Sequence, residues 1–157
     1  MKIVFWSIGK PHEAYTKGGV EEFTKRVNNY FKAGWEIIPP VKNAAKMPVE
    51  EVKRAEAVLV LQKLQKDDFF IVLDERGKQL SSEELAGQLQ HCANISAKRV
   101  VFLIGGAFGI ADTLLEKAHF KWSLSKLVFP HQLVRLILAE QVYRACTILK
   151  NEKYHHQ

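Results

Sequence analysis

The glycines at residues 105–109 could form the wall of a ligand pocket. Gly105, Gly106 and Gly109 directly follow an apolar run and precede a helical pattern, and glycine lets a ligand approach the backbone closely. The same spacing also fits a plain tight turn. Because the segment matches neither the G-x-G-x-x-G pattern nor the G-x-x-x-x-G-K-[ST] pattern, a phosphate cradle is disfavoured. We expect instead a flat, weakly charged ligand.

His131 is a candidate general base. It follows Pro130 at the start of the last helical pattern, and a helix N-terminus disfavours a protonated imidazole. A neutral histidine can accept a proton at pH 7. A polar residue without chemistry would look the same in the sequence. Arg135 lies one helical turn further along and could reach the same place.

Cationic and aromatic residues near the C-terminus could contact nucleic acid. Arg144 could bind phosphate, although Glu140 four residues before it also predicts an ordinary helix salt bridge. Tyr154 could stack on an extruded base while His155 holds phosphate, or both could belong to a frayed end. No metal site is expected, because adjacent tail histidines do not converge and the chain has only two cysteines.

The charge distribution favours an anionic partner. The 157-residue chain has a net charge of +6, and residues 121–157 hold six lysines and arginines against two glutamates. Solubility alone would also explain this excess. The longest uncharged run, residues 100–111, is too short for a membrane helix, which needs about 20 residues. With no signal-peptide pattern at the start, we expect a cytoplasmic protein.

Apolar runs alternate with helical patterns along the whole chain. This alternation predicts one α/β domain, residues 1–157, with a largely parallel sheet flanked by helices. The predicted strands are 3–8, 35–39, 69–73, 99–104 and 120–124. The predicted helices are 11–30, 49–64, one beginning at Ser81, 111–118 and 130–149. The apolar face of the first carries Tyr15, Phe23, Val27 and Tyr30.

Three segments leave the carboxyl ends of predicted strands, where parallel α/β sheets bind ligands. They are residues 73–78, 105–109 and 124–130. We expect them to line one crevice with apolar side chains, although the same side chains could be ordinary core. The last helix is apolar almost all round, which predicts either a symmetric dimer or a monomer that covers this helix unusually well.

The motifs together resemble the RlmH family, SPOUT-class methyltransferases of bacterial large-subunit ribosomal RNA. The resemblance covers nearly the whole chain and rests on motifs that occur in one order. They are Leu73-Asp-x-x-Gly77-Lys78, Leu80-Ser81-Ser82, Phe102-Leu-Ile-Gly105-Gly106-x-x-Gly109, Leu124-Ser-x-Leu127, Phe129-Pro130-His131-Gln-Leu-Val-Arg135, Glu140-Gln-Val-Tyr143-Arg144-Ala145 and Tyr154-His155.

The resemblance implies methylation of N3 of a pseudouridine in a 23S rRNA stem-loop, on assembled ribosomes, with S-adenosylmethionine as donor. It also implies a homodimer and an α/β knot fold with a C-terminal trefoil knot. By motif match the cofactor pocket would consist of Leu73, Gly105, Leu124, Ser125, Lys126, Leu127, Val128 and Phe129.

The candidate catalytic residues follow from the chemistry of the side chains together with the reaction that the resemblance implies. We expect His131 or His155 to accept the proton of N3, Tyr154 to stack on the base, and Arg135 and Arg144 to contact phosphate or base. The family's tail commonly reads Tyr-His-Arg, whereas this chain has His156 in the third place, which is mostly neutral at pH 7. A non-catalytic RNA-binding module of the ribosome is the alternative function. A flavodoxin-type nucleotide binder fits poorly, because the loop after the first strand lacks a phosphate-binding composition.

Overall fold

A five-stranded parallel sheet forms the centre of the computed structural model, which describes residues 1–156. Its strands are β1 (Lys2–Ile8), β2 (Lys32–Ile38), β3 (Asp68–Gln79), β4 (Arg99–Ile104) and β5 (Phe120–Ser123), in the order β2-β1-β4-β3-β5. Every pairing in the sheet is parallel, so all carboxyl ends lie at one edge. The predicted α/β class is confirmed.

Helices cover both faces of the sheet. They are α1 (Ala14–Val27), α2 (Val49–Lys63), α3 (Ser82–Asn94), α4 (Asp112–Lys117) and α5 (His131–Leu149), with a short 3₁₀ turn at Ala44–Lys46. Helix α5 packs against α1 and α3 on one face, while α2 contacts α4 on the other. Each face therefore has its own apolar core, and the strands between them are buried on both sides.

Strand β3 is longer than the sequence predicts. Its apolar half is buried on both faces as expected, but the strand continues to Gln79 where a loop was predicted. Its pairing with β5 jumps in register, since both Leu73 and Lys78 lie opposite Trp122. Polar residues with one glycine look like a loop in sequence, whereas in the fold Lys78 and Gln79 pair with β5 again beyond the register shift.

The predicted apolar face of the first helix is wrong at both ends. The helix begins at Ala14, so its inward face carries Thr16, Val20 and Val27. Tyr15 points outward and is 63% exposed. Tyr30 lies beyond the end of the helix, where its hydroxyl donates a hydrogen bond to Glu152.

A capping box starts α3 as the sequence predicts. The Ser81 hydroxyl accepts a hydrogen bond from the Glu84 backbone N–H at 3.1 Å, and the Glu84 carboxylate accepts one from the Ser81 N–H at 2.7 Å. Two backbone donors that the helix itself cannot pair are thereby satisfied.

Replacing Ser81 with alanine should lower the free energy of unfolding by about 1 kcal/mol, the usual cost of losing such a cap. Chemical denaturation of the variant and the parent would measure it. Replacing Ser81 with threonine keeps a capping hydroxyl and serves as the control. Equal stability of S81A and the parent would contradict the prediction.

Helix α5 is apolar on two sides. One side is fully buried against the sheet and neighbouring helices and includes Leu138, Ala139 and Val142. The other side keeps half-buried apolar residues, among them Leu133, Leu136 and Ile137. The all-round apolar character is confirmed, and the dimer inferred from it stays a prediction, as does the trefoil knot. Within residues 1–156, no helix has both the length and the hydropathy that crossing a membrane requires.

Candidate functional site

The three predicted segments meet in one pocket at the carboxyl edge of the sheet. Its volume is about 1210 Å³, and residues 73–77, 105–110 and 122–129 form most of its wall. All eight residues assigned to the cofactor by motif match lie on this wall: Leu73, Gly105, Leu124, Ser125, Lys126, Leu127, Val128 and Phe129. Helix α5 adds His131 at its first turn.

Residues 105–109 form a tight turn, and the same residues line the pocket. Both interpretations of the glycine spacing are therefore correct. The Gly109 N–H donates a hydrogen bond to the Gly106 carbonyl at 3.1 Å. Gly109 has a φ of +87°, which side chains rarely allow. The turn leaves backbone exposed toward the pocket.

Glu56 of α2 lies behind this loop. The residue is 6% exposed, and a Cβ added to Gly106 would come within 3.0 Å of its Oε1 atom. Burial raises the pKa of this carboxyl group. No sequence pattern indicates Glu56, because it stands among the ordinary charged residues of an amphipathic helix.

Arg76 forms a polar bridge across the mouth of the pocket, which the sequence also did not indicate. Its guanidinium donates hydrogen bonds to Asp74 at 2.8 and 3.1 Å and to Asp112 at 3.2 Å. Burial tends to raise the pKa of Asp74, but the hydrogen bonds from Arg76 outweigh it and lower that pKa. The pocket therefore has an ionised carboxylate beside its apolar wall.

His131 connects α5 to the glycine loop. Its Nε2 atom is hydrogen-bonded to the Gly105 carbonyl. Since a carbonyl can only accept, Nε2 carries the proton and Nδ1 is left as an acceptor. Burial lowers the pKa of His131 and the charge of Arg135 lowers it further, although the Gly105 hydrogen bond works against both. The imidazole is thus neutral at pH 7, as expected. The main reason is its burial, whereas the sequence argument relied on the helix N-terminus.

Arg135 lies behind His131 and is completely buried. Its Nε donates to the Ser7 hydroxyl at 2.9 Å and its Nη1 to Nδ1 of His12 at 3.2 Å. Its Nη2 has no hydrogen-bond partner among residues 1–156. Burial lowers the pKa of the guanidinium. Arg135 is therefore near His131, as expected, but does not reach the pocket surface.

The tail packs on the far end of α5, where Tyr154 and His155 contact residues of that helix. Arg144 forms the predicted salt bridge with Glu140 at 2.6 Å, and its guanidinium also lies 4.7 Å above the Tyr154 ring. The Tyr154 hydroxyl donates to Glu140 at 3.1 Å. His155 Nε2 lies 2.8 Å from a carboxylate oxygen of Glu83 at the start of α3.

The candidate catalytic residues thus form two separate groups within one chain. His131 and Arg144 are 13 residues apart on α5, a distance of about 20 Å at 1.5 Å per residue. Arg135 belongs to the first group, and Tyr154 and His155 belong to the second. Among the described residues, no group of three or more histidines, cysteines and acidic residues could hold a metal ion.

A parallel sheet whose late-strand loops enclose a pocket beside the last helix is the architecture of the SPOUT methyltransferases. The family model described as "Predicted SPOUT methyltransferase" matches residues 1–155. Several relatives that align end to end are named "Ribosomal RNA large subunit methyltransferase H". The chain belongs to this family, the RlmH family of SPOUT methyltransferases.

The similarity to these relatives extends over the whole chain. The protein from Cytophaga hutchinsonii is 43% identical over 156 residues, which is 99% of this chain and 100% of the relative. The Flavobacterium johnsoniae protein is also 43% identical, over 157 residues, which is 100% of this chain and 100% of the relative. The Desulforamulus reducens protein is 42% identical over 99% of both chains.

Solved structures of low sequence identity have the same fold. A probable methyltransferase from Bordetella pertussis Tohama I superimposes with a TM-score of 0.56 at 15% identity, covering 92% of this chain and 94% of that one. A probable methylase family protein from Haemophilus influenzae Rd KW20 has a TM-score of 0.54 at 12% identity, over 99% of this chain and 70% of its own.

Proposed function

We propose that the chain transfers a methyl group from S-adenosylmethionine to N3 of a pseudouridine in a 23S rRNA stem-loop of assembled, cytoplasmic ribosomes. The names of the relatives support ribosomal RNA of the large subunit as the substrate. One observation carries the proposal: all eight residues assigned to the donor converge on one pocket, beside a neutral histidine.

The pocket fits S-adenosylmethionine in size and chemistry. Small-molecule pockets usually measure about 300–1,000 Å³, so this pocket has room for a donor and part of an incoming nucleobase. The backbone of Gly105 and residues 124–129 would hold the adenosine part. Asp74 and Lys126 offer opposite charges for the amino and carboxylate groups of the methionine part.

Alignment and proton removal are the tasks of this chain's residues. When bound, S-adenosylmethionine supplies an electrophilic methyl group on sulfur, and N3 of the base must lose its proton to attack it. Holding the two reactants in line can contribute about 7–11 kcal/mol. A general base adds about 10²–10⁴-fold. The free Nδ1 of His131 and the ring of His155 are the candidate acceptors.

We propose a homodimer in which each tail completes the partner's pocket. Within one chain, Tyr154 and His155 pack at the Arg144 end of α5, about 20 Å along the helix from His131. The half-buried apolar side of α5 continues into Leu127 and Val128, which are 71% and 89% exposed. A two-fold contact through this surface would bury these residues and place a second copy at the pocket.

Two measurements test the proposed reaction. Calorimetry with S-adenosylmethionine should show binding at the pocket. Mass mapping of 23S rRNA, from ribosomes incubated with and without the protein and donor, should show one added methyl group on a pseudouridine. Ribosome binding without donor binding or methylation would favour the non-catalytic module instead.

The neutral state of His131 also predicts a pH effect on stability. The unfolded chain takes up a proton near the ordinary histidine pKa of about 6.5, whereas folded His131, with its lowered pKa, resists protonation. The unfolded state therefore binds more protons below this value, and stability falls as the pH drops. Replacing His131 with glutamine should make that fall shallower between about pH 7 and pH 5.5.

Denaturation midpoints of the parent and H131Q across this pH range would measure the effect. The pKa of His12 is also lowered, and His12 remains in both proteins. Part of the pH dependence of stability should therefore persist in H131Q. An H12Q variant measures the contribution of His12. Identical pH profiles for the parent and H131Q would show that His131 does not contribute.

A further inference from the structure

The loops that follow β1 and β2 form a basic surface beside the pocket. Residues 9–12 and 39–48 both leave the carboxyl edge of the sheet, and the Gly9 N–H donates to the Ile38 carbonyl at 2.9 Å. In the strand order, β1 lies between β2 and β4, the strand that ends at the glycine loop. We name these two loops the basic shelf.

All the exposed charged side chains of the basic shelf are positive. Lys10, Lys42 and Lys46 are all exposed, and none forms a salt bridge with any of residues 1–156. Neither loop contains an aspartate or glutamate. The apolar residues Val41 and Met47 are half-buried, so the lysines dominate the outer surface.

The shelf is also held in a defined shape. The Gln132 side chain of α5 accepts a hydrogen bond from the Glu13 N–H at 2.9 Å and donates one to the Pro11 carbonyl at 3.3 Å. Three prolines, Pro39, Pro40 and Pro48, restrict the backbone of the second loop. The backbone that carries the lysines is therefore constrained before an anion binds.

We propose that the basic shelf binds the phosphate backbone of the RNA strand that enters the pocket. The inference rests on the proposed function and adds a substrate contact outside the donor site. Strand β2 lies two strand spacings from β4, about 10 Å, so nucleotides next to the target base can reach the shelf. Unpaired positive charge without an exposed apolar centre fits a polyanion better than a protein partner.

The test compares two sets of three lysines. Lys10, Lys42 and Lys46 are changed to glutamine in one variant. Lys2, Lys32 and Lys66 are changed in the control, since they are equally exposed but lie at the opposite, amino edge of the sheet. Both variants lose three positive charges. Any difference in ribosome affinity between them therefore depends on where on the protein the lysines lie.

Ribosome affinity is then measured against salt concentration, and S-adenosylmethionine affinity by calorimetry. The shelf variant should lose at least about tenfold in ribosome affinity at low salt, with a log–log salt slope smaller by about 2 for three lost contacts. Its donor affinity should equal that of the parent. The control should keep ribosome affinity within about twofold of the parent and should leave the salt slope unchanged.

Four results would overturn the proposal. A shelf variant that binds ribosomes like the control, while the parent methylates rRNA, refutes the shelf and leaves the proposed function intact. A loss of donor affinity would assign the lysines to S-adenosylmethionine. A photoreactive side chain at the exposed Ala45 should crosslink to rRNA, and crosslinking to a ribosomal protein instead would refute the RNA contact. A parent that neither binds nor methylates ribosomes would refute both proposals together.

Discussion

Replacing Gly77 with alanine is expected to weaken the fold and the donor pocket together. A Cβ at this position would lie 2.6 Å from the carbonyl carbon and oxygen of Lys121 and 2.7 Å from the Trp122 nitrogen. All three atoms are backbone atoms of β5, so no side chain can turn aside to make room. Overpacking of this kind usually costs about 1–3 kcal/mol of stability.

The pocket should suffer because both of its long walls meet at this contact. Gly77 lies in the irregular part of β3, and β5 leads directly into residues 124–129. Separating the two strands displaces both walls. We expect the affinity for S-adenosylmethionine to fall at least about tenfold, or about 1.4 kcal/mol.

A second glycine provides the control. Gly87 lies exposed within α3, and a Cβ there would meet no atom within 4 Å. Its replacement with alanine should stabilise the helix by up to about 1 kcal/mol and leave donor binding unchanged. Thermal melts and calorimetry on both variants give the comparison. Donor affinity in G77A equal to that in G87A would contradict the prediction.

The positions of the pocket walls could be predicted because they follow from chain direction. Parallel strands end at one edge, so the segments after residues 73, 104 and 123 share that edge, and they line one pocket because β4, β3 and β5 are neighbours in the sheet. The capping box at Ser81 was equally predictable, since it depends on residues three positions apart. Signals of this kind are local, or they depend only on the alternation of strand and helix.

Contacts between distant segments could not be predicted in this way. Nothing in the sequence shows that Arg135 becomes buried under Ser7 and His12, because these partners are more than 120 residues away. Glu56 behind Gly106 and Arg76 across the pocket mouth depend on the packing of α2 and on the extension of β3. The sequence indicates which side chains have useful chemistry, and tertiary packing decides which of them face the pocket.

Replacing both Tyr154 and His155 with alanine is expected to have the largest effect on turnover. If the tail stacks on the target base and takes part in proton removal, the rate should fall about 10²–10⁴-fold. Affinity for S-adenosylmethionine should stay nearly unchanged, because neither residue belongs to the donor pocket of its own chain. Single-turnover methylation of ribosomes and calorimetry measure the two quantities separately.

Tyr154→Phe is the matched control for the stacking role. It keeps the ring over which Arg144 lies and removes only the hydroxyl group that donates to Glu140. This variant should therefore retain most of the turnover. Normal turnover in the double alanine variant would refute the catalytic role of the tail.

Mixed dimers decide whether the tail acts on its own pocket or on the partner's. The double alanine tail variant is mixed with G77A, whose tail is intact but whose pocket is weakened. If tails act across a two-fold dimer, each mixed dimer has one site with an intact pocket and an intact tail. Random exchange makes about half of the dimers mixed, so about a quarter of the parent's activity should be restored. If each tail serves its own pocket, no mixed site is complete and activity should stay at the level of the separate variants. Because the tail packs at the Arg144 end of α5, about 20 Å along the helix from His131, we expect restoration.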